Sequence, residues 1–301
     1  MSESQAAAAP PPVLRVVRSR ASLDDAYAHL PQPSVRSARA TRAAVFTMGA
    51  LHAGHVGLIR AARGEVGPHG HVTVTIFVNP LQFGPGEDLG KYPRTLKADL
   101  AVCAEEDVDL VFAPSQEVLF PHGDPEARID PGPQGSILEG AVRPGHFSGV
   151  LTVVMKLLHI TAPQATFFGE KDYQQLTLIR RMVADLDVPV KVHGVPTLRD
   201  TDGLALSSRN QYLSDSDRAL AAALPAALAA GVTAADLGRA ADAIVGAAAL
   251  ELERVGLTPD YVALTDPHLG PAPELGAARL LLAARVGQTR LIDNSPVTLR
   301  Q

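Results

Sequence analysis

The stretch from Phe46 to His55, Phe-Thr-Met-Gly-Ala-Leu-His-Ala-Gly-His, limits the possible folds of this chain more than any other segment. The apolar run Ala43–Phe46 predicts the end of a buried strand. Gly49 and Gly54 then allow the backbone to turn tightly and to approach a ligand closely. From Val56 the apolar residues have helical spacing. The segment therefore predicts a strand, a glycine turn and the start of a helix, which is the repeating unit of parallel α/β sheets.

Two histidines, His52 and His55, stand at the predicted start of this helix. A helix N-terminus has unpaired N–H groups and a partial positive charge, so it can bind phosphate. The two imidazoles lie on one turn, and each can donate a hydrogen bond to a phosphate oxygen while neutral. A Walker P-loop is excluded because no Gly-Lys-Ser/Thr follows. Nucleotide binding is the hypothesis that we favour, and a helix cap with two solvated histidines is the alternative.

Strand and helix patterns alternate along the first two thirds of the chain. The predicted strands are Val13–Val17, Ala43–Phe46, His71–Val78, Leu110–Ala113, Thr166–Phe168 and Val190–Val195. The predicted helices are a short one capped by Ser22, one from Val56, and Pro93–Glu106, Phe147–Ile160 and Tyr173–Leu186. Such alternation predicts an α/β fold with a parallel sheet and right-handed crossovers, in which ligands bind at the carboxyl ends of the strands.

The sequence changes character near Thr197, where we place a domain boundary. The elements predicted beyond it are a helix capped by Ser214, interrupted by Pro225 and closed by Gly231, a helix opened by a Thr233–Asp236 capping box, and the strands Tyr261–Thr265, Arg279–Val286 and Thr289–Ile292. Residues 1–12 are predicted to be a disordered tail and 13–197 the domain that contains the parallel sheet. Residues 198–301 are predicted to be a smaller C-terminal α+β domain.

Composition excludes several classes of protein. The net charge of −5 argues against a nucleic-acid binder, which needs a basic surface. No apolar run approaches the roughly 20 residues of a membrane span, and the Ala- and Pro-rich start lacks the features of a secretory signal. Cys103 is the only cysteine and is predicted to be a small core residue rather than a nucleophile. We expect a cytoplasmic protein without a membrane partner.

Polar residues follow other predicted strands. Gln82 comes after the strand His71–Val78, and Lys171 and Gln175 come after Thr166–Phe168. Lysine suits phosphate, and a glutamine side chain can both donate to and accept from a substrate with hydroxyls and a carboxylate. In Leu206-Ser-Ser-Arg209, two hydroxyls and a guanidinium could hold a polyphosphate. Each stretch alone also fits an ordinary polar loop or helix cap.

Four stretches taken together resemble the pantothenate synthetase (pantoate–β-alanine ligase) family. They are Thr47–His55, Ile76–Phe83, Phe167–Gln175 and Asp202–Asn210, with the His-x-Gly-His, Asn-Pro-x-Gln-Phe, Gly-Glu-Lys-Asp and Ser-Ser-Arg motifs. The similarity extends from about Val45 to Asn294. It implies a Rossmann-like N-terminal domain, a C-terminal domain that acts as a lid, and a homodimer.

The resemblance also implies a role for each matching residue. His55, with His52 and Lys171, would be catalytic, and His55 would donate a proton. Gln82 and Gln175 would bind pantoate, and Gln82 would also lie near β-alanine. The implied ATP site comprises Met48, Gly49, His52, Gly54, His55, Gly169, Glu170, Lys171, Asp172, Leu198, Leu206, Ser207, Ser208 and Arg209.

The metal ion is less well specified by the sequence. ATP chemistry needs Mg²⁺, which binds through phosphates and one or two carboxylates, and Asp99 is the candidate ligand. Lys97 and Ala98, which precede it, supply no further acid. Leu206 replaces the methionine common before Ser-Ser-Arg, an apolar exchange of similar volume.

The resemblance implies that the chain joins (R)-pantoate to β-alanine with ATP, through a pantoyl adenylate, to give pantothenate, AMP and diphosphate. Three alternatives remain open: another nucleotidyltransferase of the same fold, a non-catalytic nucleotide-binding module, and a fragment of an aminoacyl-tRNA synthetase. The acidic net charge counts against the last of these.

Overall fold

A computed structural model describes residues 14–30 and 40–300. The predicted disordered tail, residues 1–12, and most of the loop predicted between Pro31 and Arg42 lie outside the described residues. Within them the chain forms a six-stranded sheet, followed by a separate three-stranded sheet.

The larger sheet is parallel throughout, with the strand order β1-β4-β3-β2-β5-β6. Its strands are β1 (Arg15–Val17), β2 (Arg42–Thr47), β3 (His71–Ile76), β4 (Leu110–Phe112), β5 (Ala165–Gly169) and β6 (Lys191–Val195). The helices between them are α1 (Arg20–Ala28), α2 (Ala53–Val66), α3 (Leu96–Glu105), α4 (Gln116–Leu119), α5 (Glu139–Val142), α6 (His146–Thr161) and α7 (Tyr173–Asp185). This confirms the predicted Rossmann-like α/β architecture.

Strand order reverses between β2 and β5, and the two strands separate there. β2 pairs with β3 along all six residues from Arg42 to Thr47. With β5 it pairs only at Ala43 and Ala44, so the carboxyl ends of β2 and β5 diverge. Ligands of open α/β sheets bind at such a reversal point.

Residues that alternate along the strands supply a separate core on each face of the sheet. Phe112 and Phe168 belong to one cluster, which is completed by helices such as α6. Their neighbours Val111 and Phe167 belong to the other, together with Ile59 of α2. The period of two residues along a strand explains this division. Both faces are covered, as expected for a parallel sheet.

Cys103 is buried in the second of these cores. Burial raises the pKa of its thiol to about 12, and Asp99 contributes to the same effect. The structure therefore agrees with the prediction of a core residue rather than a nucleophile.

The C-terminal part combines helices with a smaller sheet, as predicted, and this sheet is antiparallel. Its elements are α8 (Asp215–Ala221), α9 (Ala223–Asp236), α10 (Ala241–Arg254), β7 (Pro259–Thr265), β8 (Gly276–Val286) and β9 (Thr289–Leu299), with strand order β7-β8-β9. β6 ends at Val195, and the chain then crosses to this smaller sheet. The domain boundary near Thr197 stays a prediction.

Several predicted helix boundaries are wrong. Ser19 rather than Ser22 is the N-cap of α1, and Ser22 is the N3 residue that completes the capping box. The helix α9 passes through Gly231 and the supposed capping box to end at Asp236. Gly231 does not end the helix because it is buried in α9, where its missing side chain leaves room for Leu280. The interruption near Pro225 is confirmed at Ala222, between α8 and α9.

The helical stretch Asp215–Asp236 also corrects the expectation that no segment approaches the length of a membrane span. It has 22 residues and is apolar enough to cross a bilayer by length and composition. However, Leu224, Ala227 and Leu228 are buried in the core of the smaller sheet. This burial is typical of a core helix.

Candidate active site

A cleft lies at the carboxyl ends of β2 and β5 and contains two adjoining cavities. The inner one, about 240 Å³, reaches from the turn after β2 to the segment after β6. The outer one, about 950 Å³, extends to β8 and β9 of the smaller sheet. The inner cavity is lined by most of the residues predicted to bind substrates: Met48, His52, Gly54, His55, Gln82, Gly169, Lys171, Asp172, Gln175, Leu198, Leu206, Ser207, Ser208 and Arg209.

The turn between β2 and α2 is fixed by Asp99. Gly49 and Ala50 both have positive φ, a left-handed conformation that is uncommon for alanine. The buried Asp99 carboxylate accepts hydrogen bonds from Ala50 N–H at 3.2 Å and Leu51 N–H at 2.8 Å. Thr95 donates to the same carboxylate at 3.2 Å. Asp99 thus supplies the anion that stabilises this turn, and its role as a Mg²⁺ ligand stays a prediction.

The helix α2 begins at Ala53, earlier than the predicted Val56, because His52 is its N-cap. Gly54 N–H donates to His52 Nδ1 at 3.1 Å, and His52 N–H donates to His55 Nδ1 at 3.3 Å. An imidazole whose Nδ1 accepts a hydrogen bond carries its proton on Nε2 when neutral. His52 Nδ1 therefore accepts from the Gly54 N–H, a backbone donor that was expected to be free for phosphate. The Nε2–H groups of His52 and His55 remain available as donors.

Both imidazoles are neutral near pH 7. Burial lowers the pKa of His55 to about 3, and the adjacent His52 contributes to this shift. Burial also lowers the pKa of His52, and the positive charge of Lys171 lowers it further. The ring centroids are 4.2 Å apart. The pair can therefore donate hydrogen bonds to an anion without placing a permanent charge in the cleft.

Gln82 is held at the cavity by a tight contact between the turn after β3 and α6. Asn79, which is buried, donates to Gln82 Oε1 at 3.0 Å and to the carbonyl of Gly149 at 3.1 Å. A Cβ atom on Gly149 would lie 2.0 Å from the Leu81 carbonyl oxygen, so only glycine permits this approach. The Gln82 amide is thereby oriented, and Gln175 faces the same cavity from α7.

Lys171 and Asp172 form the next part of the cleft wall, in the turn between β5 and α7. The Lys171 ammonium lies 3.7 Å from the Asp172 carboxylate. Desolvation in the cleft raises the pKa of Asp172, but the positive charges of residues such as Lys171 and Arg209 lower it. The lowering is the larger effect, so the net pKa lies below its usual range. Asp172 is thus ionised at neutral pH. Glu170, predicted to bind ATP, lines neither cavity and contacts Arg279 instead.

The side of the inner cavity opposite the histidines is formed by Ser207, Ser208 and Arg209. Ser207 caps a short 3₁₀ turn by accepting from Arg209 N–H at 3.2 Å. The Arg209 guanidinium lies 3.4 Å from the Asp88 carboxylate. The Ser208 hydroxyl lies 3.4 Å from the Tyr92 hydroxyl. The predicted hydroxyl and guanidinium groups are therefore brought to the same cleft as the histidines.

Several cleft residues were missed in the sequence. Arg143 forms a two-pronged ion pair with Glu87 at 2.6 and 2.9 Å and contacts the His146 ring at 3.0 Å. Burial and the charge of Arg143 lower the pKa of His146 to about 4. Tyr92 is also buried at this cleft. Arg143 and Tyr92 lie in segments rich in Gly and Pro without strand or helix periodicity, and His146 is the first residue of α6, so no pattern pointed to these side chains.

The described part of the chain contains no group of three or more His, Cys, Asp or Glu residues that could hold a metal ion. The one predicted ligand, Asp99, already uses both oxygens for Ala50, Leu51 and Thr95. This donor set does not fit a resident metal site.

The sequence profile described as Pantoate-beta-alanine ligase matches residues 15–296. The chain belongs to this family. It is 58% identical over 257 residues to the pantothenate synthetase of Salinispora arenicola, covering 85% of this chain and 90% of that protein. It is 55% identical over 267 residues to that of Nocardia farcinica, covering 88% and 82%.

Solved structures of ligases in this family share the fold. Pantothenate synthetase from Thermus thermophilus is similar with a TM-score of 0.86 at 46% identity, covering 93% of this chain and 98% of that one. The pantoate–β-alanine ligase from Francisella tularensis, complexed with "Beta-gamma ATP and Beta-alanine", has a TM-score of 0.77 at 34% identity, covering 94% and 97%. These comparisons confirm the family and the fold that were predicted from the sequence.

Proposed function

We propose that this chain joins (R)-pantoate to β-alanine with ATP, giving pantothenate, AMP and diphosphate. One observation carries the proposal: a single cleft gathers two neutral histidines, two glutamines and a lysine–serine–arginine set. The glutamines suit a neutral polyol with a carboxylate, and the cationic set suits phosphates. Family membership, and the relative solved with ATP and β-alanine, support the same reaction.

The first step that we propose activates the acid. The pantoate carboxylate oxygen attacks the α-phosphorus of ATP, the bond to the β-phosphate oxygen breaks, and diphosphate leaves. Gln82 and Gln175 hold pantoate in line, and Lys171, Ser207, Ser208 and Arg209 bind the phosphates. His52 and His55 donate through Nε2–H to oxygens whose charge grows as the phosphorus is attacked.

In the second step the amine of β-alanine attacks the acyl carbon of the adenylate, the acyl–oxygen bond breaks, and AMP leaves with the electron pair. The attacking nitrogen loses a proton to water or to the departing phosphate. The adenylate reacts with water unless it is enclosed, and the smaller domain, which contributes to the outer cavity, provides the enclosure.

The other open functions are weaker on the same geometry. A nucleotidyltransferase that acts on a phosphorylated precursor needs cations beside the substrate, but Gln82 and Gln175 are neutral. A non-catalytic ATP-binding module needs no neutral imidazole pair behind the phosphates. We also propose Mg-ATP as the nucleotide substrate, a homodimeric assembly and a cytoplasmic location, which follow from the family resemblance.

Isotope exchange tests the proposal directly. The protein is mixed with Mg-ATP, labelled diphosphate and (R)-pantoate, without β-alanine, and label entering ATP is followed. Reversible adenylation requires exchange that depends on pantoate. Release of ADP, or the absence of exchange in folded protein that binds ATP, would show that the proposed reaction is wrong.

A further inference from the structure

The turn that carries Lys171 is held by a residue of the smaller sheet. Asn294, on β9, donates through its amide nitrogen to the carbonyl of Glu170 at 2.9 Å and to that of Lys171 at 2.8 Å. Asn294 is buried, with only 4% of its surface exposed. These two hydrogen bonds fix the backbone immediately around Lys171. Asn294 and Lys171 are 123 residues apart in the sequence.

Arg279 on β8 orients the Asn294 amide. Arg279 Nε donates to Asn294 Oδ1 at 2.7 Å, so the amide nitrogen must face the two carbonyls. The same guanidinium lies 3.2 Å from the Glu170 carboxylate and stacks 4.0 Å from the ring centre of Tyr173. Glu170 therefore serves this anchor, which explains why it lines neither cavity.

The neighbouring residue on β9, Asp293, holds the other loop of the cleft. Its buried carboxylate pairs with Arg199 at 2.6 and 3.0 Å. Arg199 pairs with Ala205 in an antiparallel bridge, and Leu206 N–H donates to the Leu198 carbonyl at 2.9 Å. This narrow turn leads directly into Ser207, so Asp293 sets the position from which the serines and Arg209 reach the cleft.

We propose that Asp293 and Asn294 are positioning residues that set the separation between the two phosphate-binding loops. Adjacent residues of a strand point to opposite faces, so one dipeptide can reach both loops at once. The role as phosphate-binding loops rests on the proposed function, but the anchoring itself depends only on the contacts around Asp293 and Asn294. Asp293 and Asn294 line the outer cavity but not the inner one, so their effect on the inner cavity is exerted through the loops that they hold.

Hydrogen–deuterium exchange on the ligand-free protein tests the anchoring, with or without activity. Asn294→Ala is expected to speed amide exchange about tenfold in residues 169–173, with little change in residues 198–207. Asp293→Asn keeps the side-chain shape and is expected to show the reverse pattern. Arg279→Lys, which removes the Nε donor but keeps the charge, is a milder second variant and should loosen residues 169–173 about threefold.

Thr265→Val is the matched control. Thr265 is buried in the same sheet, on β7, and its hydroxyl donates only to the nearby Asp266 carbonyl at 2.8 Å. The control should leave both loops unchanged. If the β9 variants loosen both loops equally, together with α9 and α10, they merely destabilise the smaller domain and the proposal is overturned. Unchanged exchange in both loops also overturns it.

A binding titration with Mg-ATP separates this proposal from the proposed function. If both are correct, each β9 variant should weaken ATP binding about tenfold while the control binds as the wild type does. If the wild type fails to bind ATP, the proposed function is wrong, and the exchange pattern still decides the anchoring. Loop-specific exchange with unaltered ATP affinity would overturn the positioning role.

Discussion

The two walls of the cleft are held in place by different kinds of interaction. The wall after β2 is fixed by backbone N–H groups that bind Asp99 and by imidazoles that cap their own helix. The opposite wall, from Lys171 to Arg209, is held by side chains that reach across from β9 and from the segment around Asp88. The first wall offers neutral donors, and the second offers charges.

This difference predicts separate functional roles for the two walls of the cleft. Neutral donors can stabilise charge that develops during a reaction, and their strength does not depend on salt, whereas a cationic wall attracts phosphates and is screened by ions. The first wall should therefore control the chemical step, and the second should control the binding of ATP. The five predictions below test this contrast.

The largest expected effect is that of His55→Ala on the chemical step. Removing a preorganised donor should lower pantoate-dependent diphosphate exchange by roughly 10²–10³-fold, or about 2.7–4 kcal/mol of barrier. The protein should still fold, because the capping hydrogen bond that His55 accepts contributes only about 1 kcal/mol. The matched control is His159→Ala, since His159 is exposed near the far end of α6. Undiminished exchange in His55→Ala would remove the basis of the contrast.

The second prediction concerns the turn itself. Asp99→Ala leaves the buried N–H groups of Ala50 and Leu51 without an acceptor and should lower the free energy of unfolding by roughly 1.5–3 kcal/mol. Urea denaturation measures this loss. Asp99→Asn, which keeps one acceptor oxygen, should lose less. If Asp99 binds magnesium instead, the Mg²⁺ concentration needed for half-maximal exchange will rise in Asp99→Asn; for a purely structural role it stays the same.

The third prediction tests substrate discrimination by the two glutamines, which face the inner cavity from the turn after β3 and from α7. Gln82→Ala and Gln175→Ala should each weaken pantoate by roughly 1–3 kcal/mol, the cost of a lost buried hydrogen bond, and leave ATP affinity nearly unchanged. Titration calorimetry with each ligand separates the two effects. Gln116→Ala, at an exposed site in α4, is the control. Equal losses for both ligands would contradict the assignment.

The fourth prediction uses the neutral histidines. The pKa of His55 is about 3 and that of His146 about 4, whereas an unfolded histidine titrates near 6.5. The unfolded state therefore binds more protons below pH 6.5, and stability must fall as the pH is lowered, by at most about 1.4 kcal/mol per pH unit for each histidine. Denaturation between pH 7 and 5 measures the slope, which should be shallower in His55→Gln. An identical slope would show that His55 is not buried neutral.

The smallest effect belongs to the exposed part of the second wall. Asp88 and Arg209 are each about a third exposed, at 27% and 32%, so their ion pair contributes little. Asp88→Asn should change the free energy of unfolding by less than about 1 kcal/mol. Because Arg209 is freed for phosphate, ATP should bind roughly two- to fivefold more tightly at low salt, and the gain should vanish at high salt. Weaker ATP binding would show that Asp88 assists the nucleotide.

The sequence predicted local structure well and distant contacts poorly. The strand, turn and helix from β2 to α2 follow from apolar spacing and two glycines, and the motifs identified the residues that meet in the cleft. The anchoring of Lys171 by Asn294 could not be predicted, since it joins segments far apart in the chain. Asp99 was predicted only as a Mg²⁺ ligand, and its hydrogen bonds to the N–H groups of the turn appear only in the folded structure.

Errors at helix ends arise where a local capping signal competes with tertiary burial. Thr233 and Asp236 have the residue types and spacing of a capping box, but the preceding helix continues through them because its apolar side packs on the smaller sheet. Tertiary burial outweighed the local signal there. Arg143 and His146 were missed because there was no local signal. They stand at the ends of α5 and α6, in a Gly- and Pro-rich part of the chain where no periodic pattern predicts which side chains face the cleft.

The short pairing of β2 with β5 has a mechanical consequence. The larger sheet can be divided into two parts, β1-β4-β3-β2 and β5-β6, which are joined by two paired positions only, fewer than between any other neighbouring strands of this sheet. α2 packs on strands of both parts and so crosses the line between them. Gln82 belongs to one part and Gln175 to the other. A small rotation about this line changes the width of the cleft between them, without breaking the full ladder of β2 with β3.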